Sequence, residues 1–285
     1  MITLFACPKP FKDKKISIIQ RNAIRSWTLL SPKPDIILFG DDFGVDKICQ
    51  EFGLKHIAYV VKNEFGTPLV SDIFRKAQDM AEYNILCYVN ADIILMSDFI
   101  QAVSFVSKLK RPEFFIKFRR VFLIAGQRYD LDIDDAINFD DADWEIKLKS
   151  AVKEKGKIHP PYGSDYFVFP RGMFRDIPDF AIGRPGWDNW LIYKARAEKI
   201  PVVDATDVII AVHQNHDYSH APGGDIWKGK EFDYNLSLSR NNLMNLTAST
   251  HKLMYEGSSM SVKWILLQRA LEKFLFRIKG FFSRI

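Results

Sequence analysis

Three short stretches of this 285-residue chain combine residue types and spacing that could do chemistry. The first is Ile85-Leu86-Cys87-Tyr88-Val89-Asn90-Ala91-Asp92-Ile93-Ile94-Leu95, an apolar run interrupted by Asn-x-Asp. Side chains two apart in a strand share a face, so Asn90 and Asp92 are expected to emerge together at the strand's carboxyl end. Open α/β sheets place their ligands at that edge. A carboxylate there can hold a hard divalent cation that bridges two phosphates. The second stretch is Gly183-Arg184-Pro185-Gly186-Trp187-Asp188-Asn189-Trp190, a Gly-rich turn expected to set Asp188 at the N-cap of a helix running to Glu198. In the third, an apolar strand Val208 to Val212 closes on His213-Gln214-Asn215-His216-Asp217-Tyr218-Ser219-His220, which holds three of the chain's six histidines. Neutral imidazoles ligate divalent metals, although this HxxH lacks the glutamate of a zinc protease and no further ligand is spaced for a zinc site. Each stretch also has a plainer reading. Asn and Asp form turns at strand ends, an Asp caps helices, and histidines occur in ordinary loops.

These residues need a sheet to hold them. Through residue 95 the chain alternates short apolar runs with longer helical patterns, which predicts parallel strands joined by crossover helices. Strands are expected at Thr3 to Cys7, Asp35 to Phe39, Lys55 to Tyr59 and Asn84 to Val89. Helices are expected around Ile16 to Leu30, Val45 to Phe52 and Leu69 to Tyr83. Neither GxGxxG nor GxxxxGKS occurs, so a dinucleotide fingerprint and a P-loop are both excluded. Further on, the pattern predicts a helix over Asp98 to Leu109, a strand over Phe114 to Ile124 and another over Gly163 to Phe169. The acidic segment Asp130 to Glu145 reads as a solvated loop and helix start, without EF-hand order. Ala221 to Asp225 reads as a flexible turn that could close over a ligand or simply connect.

The composition is that of a globular protein, with 47% hydrophobic and 26% charged residues. The net charge of +5 resides in the last 28 residues, where six basic side chains face one acid, Glu272. The preceding 257 residues are electrically neutral, which argues against nucleic acid as a partner. At 100° per residue, Trp264, Leu267, Leu271, Phe274, Leu275, Ile278, Phe282 and Ile285 share one arc of a helix, opposite Arg269, Lys273, Arg277 and Arg284. Residues 258–285 are therefore expected to form a basic amphipathic helix that lies on an anionic membrane surface or packs on protein. Cys7, Cys49 and Cys87 form no paired or metal-binding pattern, and Met1 to Cys7 has no basic leader region. A cytoplasmic protein, peripheral on the inner face of the membrane, is the expected location.

The order of these features resembles the GT-A class of glycosyltransferases, which use nucleotide-diphosphate sugars. Asn90-Ala91-Asp92 resembles that class's DxD element, Trp187-Asp188-Asn189 its later acidic element, and the histidine-rich segment its C-terminal metal-binding histidine. Gln20 to Trp27, Leu38-Phe39-Gly40, Tyr88 to Leu95 and Val212 to His220 also resemble uncharacterised bacterial glycosyltransferase-like proteins. The resemblance implies an α/β fold of GT-A type, Rossmann-like and mainly parallel, over residues 1–220. A loop and polar extension over 221–257 and the amphipathic helix would follow. It implies Mn²⁺ or Mg²⁺ held by Asp92 with His213 or His216, and donor contacts from Asn90, Asp92, Arg75 and either Asp41 or Asp42. Asp165, Tyr166 and Trp187 would meet the acceptor, with Tyr162 and Trp190 as further stacking candidates. Asp188 would be the general base, giving inversion, while retention stays open. Asn90 stands where the class has its first Asp, which removes one charge from the metal site. The acceptor would be a glycan or lipid-linked sugar, as in polysaccharide biosynthesis. Rival readings are a sugar-nucleotide pyrophosphorylase, whose Gly-rich phosphate loop is missing here, and a non-catalytic binding module at a membrane.

Overall fold

A computed structural model describes residues 1–117, 119–216 and 227–265. The chain opens with β1 (Thr3–Ala6), α1 (Lys14–Thr28), β2 (Asp35–Phe39), α2 (Val45–Phe52), β3 (Lys55–Ile57), α3 (Val70–Met80) and β4 (Ile85–Val89). This is the alternation expected of the first 95 residues. Helix α1 starts two residues before Ile16 because Asp13 caps it, its Oδ1 accepting from the Ile16 amide at 2.8 Å.

Next come β5 (Ile93–Ile94), α4 (Ser97–Lys108), β6 (Phe115–Ile116), β7 (Arg119–Arg120), β8 (Leu123–Ala125) and β9 (Arg128–Leu131). The single strand expected from Phe114 to Ile124 is instead a hairpin, β6–β7, followed by β8. Lys117 takes a left-handed φ of 46° at the hairpin's loop, which suits a two-residue reversal and ends β6. The acidic segment also departs from expectation at its start. Asp130 lies in β9, and only the remainder leads to α5 (Trp144–Lys155).

The remaining elements are β10 (Lys157–Ile158), β11 (Tyr166–Pro170), α6 (Trp187–Ala197), β12 (Val202–Asp204), β13 (Ala211–Gln214), α7 (Lys230–Ser239), β14 (His251–Glu256) and β15 (Ser259–Trp264). The amphipathic helix does not begin at residue 258. Ser259–Trp264 pairs antiparallel with β14, so Trp264 is a strand residue, and the rest of that expectation lies outside the described residues. The 221–225 turn and His220 also lie outside them.

Nine strands form the main sheet in the order β15-β14-β12-β8-β11-β4-β1-β2-β3. Pairing is parallel from β4 through β3 and among β8, β12 and β14. Strand β11 runs antiparallel to both neighbours, and β15 is antiparallel to β14. A smaller sheet, β10-β9-β13-β5, stands beside it.

Strand alternation divides the core into two layers. Leu4, Ala6, Ile36, Leu38, Cys87 and Val89 face one side, against Ala23, Ile24, Trp27 and Ile48 of α1 and α2 and Phe99 of α4. Phe5, Ile37, Phe39, Leu86 and Tyr88 face the other, against Ile73, Phe74 and Ala77 of α3 and Trp187 and Leu191 of α6. Phe74 stacks on Tyr88 and Phe169 on this second side. Strands β1, β2 and β4 are buried on both faces, hence their continuous apolar runs.

Candidate active site

The carboxyl ends of β1, β2 and β4 meet the start of antiparallel β11 and the end of β13 at a cavity of about 700 Å³. That volume suits a small-molecule site. Cys7, Lys9, Asp42, Asn90, Asp92, Arg128, His159, Asp165, Trp187, Asp188, His213 and His216 contribute to its walls.

Asp92 follows β4 by three residues, in the turn before β5, while His213 lies on β13, which pairs antiparallel with β5. That pairing brings one side-chain nitrogen or oxygen from each of Asp92, His213 and His216 to within 4.8 Å of one another. Asp92 Oδ2 is 3.2 Å from His216 Nε2 and 3.9 Å from His213 Nε2. Asp92 Oδ1 is buried and has no hydrogen-bond partner among the described residues. An unused carboxylate oxygen beside two imidazole nitrogens is a donor set that fits Mn²⁺, with Mg²⁺ also served by the carboxylate. Burial disfavours the Asp92 anion, yet His216, His213 and Lys9 outweigh it and hold its carboxyl well below the usual range.

His213 is 5% exposed, and its Nδ1 lies 3.0 Å from Asp130 Oδ1. Parallel pairing of β9 with β13 sets Asp130 directly opposite His213. The same carboxylate meets His159 Nδ1 at 2.8 Å and accepts from Arg128 Nε at 2.8 Å. Burial of Asp130 would raise its pKa, but His159, His213 and Arg128 more than offset this and lower it. A carboxylate on Nδ1 leaves Nε2 of His213 facing Asp92, the arrangement that orients a ligating imidazole.

Asn90 and Asp92 do not act as a pair. Tyr88 Oη donates to Asn90 Oδ1 at 2.8 Å, and Asn90 Nδ2 donates to Asp165 Oδ1. Asp165 Oδ2 accepts from Arg128 Nη1 at 2.7 Å. The amide at position 90 is therefore matched to an anionic neighbour. A carboxylate there would face the carboxylate of Asp165, which gives a physical reason for Asn in this place.

Asp188 lies in the first turn of α6 instead of at its cap. Gly186 precedes the helix with φ of 110°, a conformation that L side chains rarely adopt, and its amide donates to Asp188 Oδ1 at 3.2 Å. Burial, with Asp165 nearby, raises the Asp188 carboxyl above its ordinary value despite hydrogen bonds from Asn189 and Gly186. Asp42 lines the cavity and is raised by burial, whereas Asp41 is exposed, paired with Lys62 at 2.7 Å and outside the cavity wall.

Two other expected contacts do not reach the cavity. Arg75 is half exposed on α3 and pairs with Asp72 of the same helix. Tyr166 is fully buried, because alternation along β11 turns it into the core against Phe99. Trp187 lines the wall but is 5% exposed and packs edge-on to Tyr88, 4.9 Å between centroids. Of the stacking candidates, Tyr162 stays half exposed at the rim, joined there by Trp227.

The structure adds Lys9, Arg128, Asp130 and His159 to this site. Lys9 Nζ is 3.3 Å from His216 Nε2, and Gln20 of α1 fixes the Lys9 backbone through both its amide and carbonyl. Its place just after β1, between Pro8 and Pro10, was a legible signal. The other three had none, because they meet through the β9–β10 and β9–β13 pairings.

No family model and no curated protein matches the chain. Among solved structures, it is similar to S. aureus TarS 1-349 in complex with UDP-GlcNAc, with a TM-score of 0.50 and 10% identity over 85% of this chain and 65% of that one. The fold is of GT-A type. It is also similar to glucosyl-3-phosphoglycerate synthase from Mycobacterium tuberculosis in complex with Mn²⁺, UDP and phosphoglyceric acid. There the TM-score is 0.49 and the identity 13%, over 93% of this chain and 86% of that one.

Proposed function

We propose that this chain is a metal-dependent glycosyltransferase that moves a sugar from a nucleoside-diphosphate donor to a hydroxyl of a glycan or lipid-linked acceptor. The observation that carries this reading is the convergence of Asp92, His213 and His216 in a cavity whose wall also holds Asp188, at the ligand-binding edge of the sheet. TarS, which shares the fold, was crystallised with UDP-GlcNAc, so a uridine-diphosphate sugar is the donor class to test first.

In this mechanism Asp92, His213 and His216 would hold Mn²⁺ or Mg²⁺. Bound there, such an ion would supply positive charge that offsets the charge of the diphosphate. Lys9 adds a second cation on the same side of the cavity, and Asp42 meets the base or ribose. Asp188 accepts the proton of the acceptor hydroxyl while that oxygen attacks the anomeric carbon. The bond from that carbon to the diphosphate oxygen breaks, its electron pair leaves with the diphosphate, and the configuration inverts. A base with a raised pKa is better matched to work near neutrality than an ordinary carboxylate.

Calorimetric titration of UDP, GDP and their sugar conjugates, with and without Mn²⁺ or Mg²⁺, tests the reading. Binding of one nucleotide strengthened by metal is expected. Absence of metal-linked binding across the set would remove the transferase reading.

A further inference from the structure

The strongest concentration of positive charge among the described residues lies away from the cavity. Residues 108–120 contain Lys108, Lys110, Arg111, Lys117, Arg119 and Arg120 against a single acid, Glu113. Five of these cations are exposed, and the sixth, Arg120, lies over the Phe115 ring and donates to the Leu109 carbonyl at 2.7 Å. Together they form the end of α4 and the β6–β7 hairpin. Ile116, beside the hairpin loop, is 40% exposed.

This segment is tied to the last described strand. Arg111 Nη1 donates to the Val262 carbonyl at 2.8 Å, and the Phe114 ring lies 5.3 Å from that of His251, which pairs in register with Trp264. Trp264 is 65% exposed. Beyond Ile265 the sequence adds Arg269, Lys273, Arg277, Lys279 and Arg284 against Glu272. Strand β15 thus ends next to the basic hairpin, and the sequence that follows it is also basic.

Sheet direction fixes where this surface faces. β8 runs parallel to β4, since both are antiparallel to β11, so the hairpin that precedes β8 lies at the edge opposite the cavity. Strand β15 ends at that same edge, being antiparallel to β14, which runs parallel to β12 and hence to β8.

We infer that this edge docks on an anionic lipid surface, with Lys117, Arg119 and their neighbours meeting headgroups and Ile116 and Trp264 entering the interfacial layer. Basic side chains attract acidic headgroups, and exposed Trp and aliphatic side chains among them favour a bilayer interface over a purely electrostatic partner such as RNA. Docked this way, the cavity faces away from the lipid. The donor then enters from solvent, and the acceptor hydroxyl must stand off the surface by more than the length of β4, about 16 Å at ~3.3 Å per residue. A growing glycan chain meets that requirement better than a sugar attached directly to a lipid headgroup.

The test is co-sedimentation of the full chain with phosphatidylcholine vesicles, with and without phosphatidylglycerol, at low and high salt. Binding to anionic vesicles alone, weakened by salt, is expected. Lys117→Glu with Arg119→Glu should lower partitioning at least about tenfold. Ile116→Ser with Trp264→Ser should weaken it without changing the salt dependence. The conservative pair Lys117→Arg and Arg119→Lys should bind as the parent does, and thermal melting should show all variants folded. Partitioning unchanged by the charge reversal, or equal binding to neutral vesicles, would overturn the proposal. Tighter, hairpin-dependent binding to single-stranded RNA would replace lipid by nucleic acid. None of these outcomes depends on nucleotide binding, so this inference and the proposed activity fail separately.

Discussion

At the scale of single residues, the proposed mechanism assigns different work to carboxylates that look alike in the sequence. Asp92 is held ionised by its imidazole neighbours and Lys9, while Asp188 is raised by burial. Asp92→Ala should abolish the gain in UDP affinity caused by Mn²⁺ while leaving weak metal-free binding, as read by calorimetry; an undiminished gain would exclude Asp92 as a ligand. Asp188→Asn should cut turnover by at least about a hundredfold with little change in donor affinity. Because the base must be deprotonated and its pKa is raised, the rate on the parent enzyme should fall as pH drops through a value above the ordinary carboxylate range near 4. A pH–rate profile flat down to that range would remove Asp188 from the role. Asp130 Oδ1 lies 3.0 Å from His213 Nδ1; in the proposed site it would orient that imidazole, and Asp130→Asn should weaken Mn²⁺ binding about ten- to hundredfold, measurable by electron paramagnetic resonance without any turnover. Unaltered Mn²⁺ affinity would leave Asp130 a purely structural residue. A metal-holding role for Asp92 could be suggested from its strand-end position, and the base role proposed for Asp188 from the GT-A resemblance, whereas Asp130 was read as part of a solvated acidic run. Its histidine partners, His159 and His213, are about 30 and 80 residues away, and no local pattern encodes them.

Elements succeed or fail as sequence signals according to how local their causes are. Strands β1, β2 and β4 and helices α1 to α3 were legible because strands buried on both faces read as apolar runs and their helices carry one apolar stripe. The β6–β7 hairpin was not, since its turn rests on a non-glycine residue, Lys117, in a left-handed conformation that residue type does not announce. Strand β15 escapes the helical reading of residues 258–285, whose apolar arc starts only at Trp264, the last residue of the strand. Helix α3 shows how one buried carboxylate secures an element. Asp72 is 4% exposed, bonds Lys76 and Arg75 of its own helix, and accepts from the Val61 amide at 2.9 Å. Burial opposes its ionisation, but these partners together lower its pKa. A carboxyl depressed in the folded state stabilises the fold fully above its unfolded pKa, about 3.9, and that contribution fades as pH falls through the lower folded value. Asp72→Asn should therefore lower the melting temperature at pH 7 and narrow its gap to the parent as pH falls below about 4. A gap constant with pH would mean that the charge on Asp72 does not secure α3.

On the scale of the whole molecule, one sheet separates two surfaces with different chemistry. The cavity gathers the carboxyl ends of β1, β2 and β4, and the basic hairpin and the end of β15 occupy the opposite edge. The sequence showed that positive charge was concentrated near its end, but not that residues 108–120 stand beside the end of β15, because that adjacency depends on long-range pairing of β8, β12 and β14. No helix among the described residues is long and apolar enough to cross a membrane. Strands packed into a continuous core transmit little when an exposed charge changes at the far edge, since distant sites with no shared partners behave independently. The charge-reversed Lys117→Glu, Arg119→Glu protein should accordingly bind UDP with Mn²⁺ within about twofold of the parent in the absence of vesicles. A larger loss would mean that the two edges are coupled through β8, whose carboxyl end leads directly into Arg128 and Asp130.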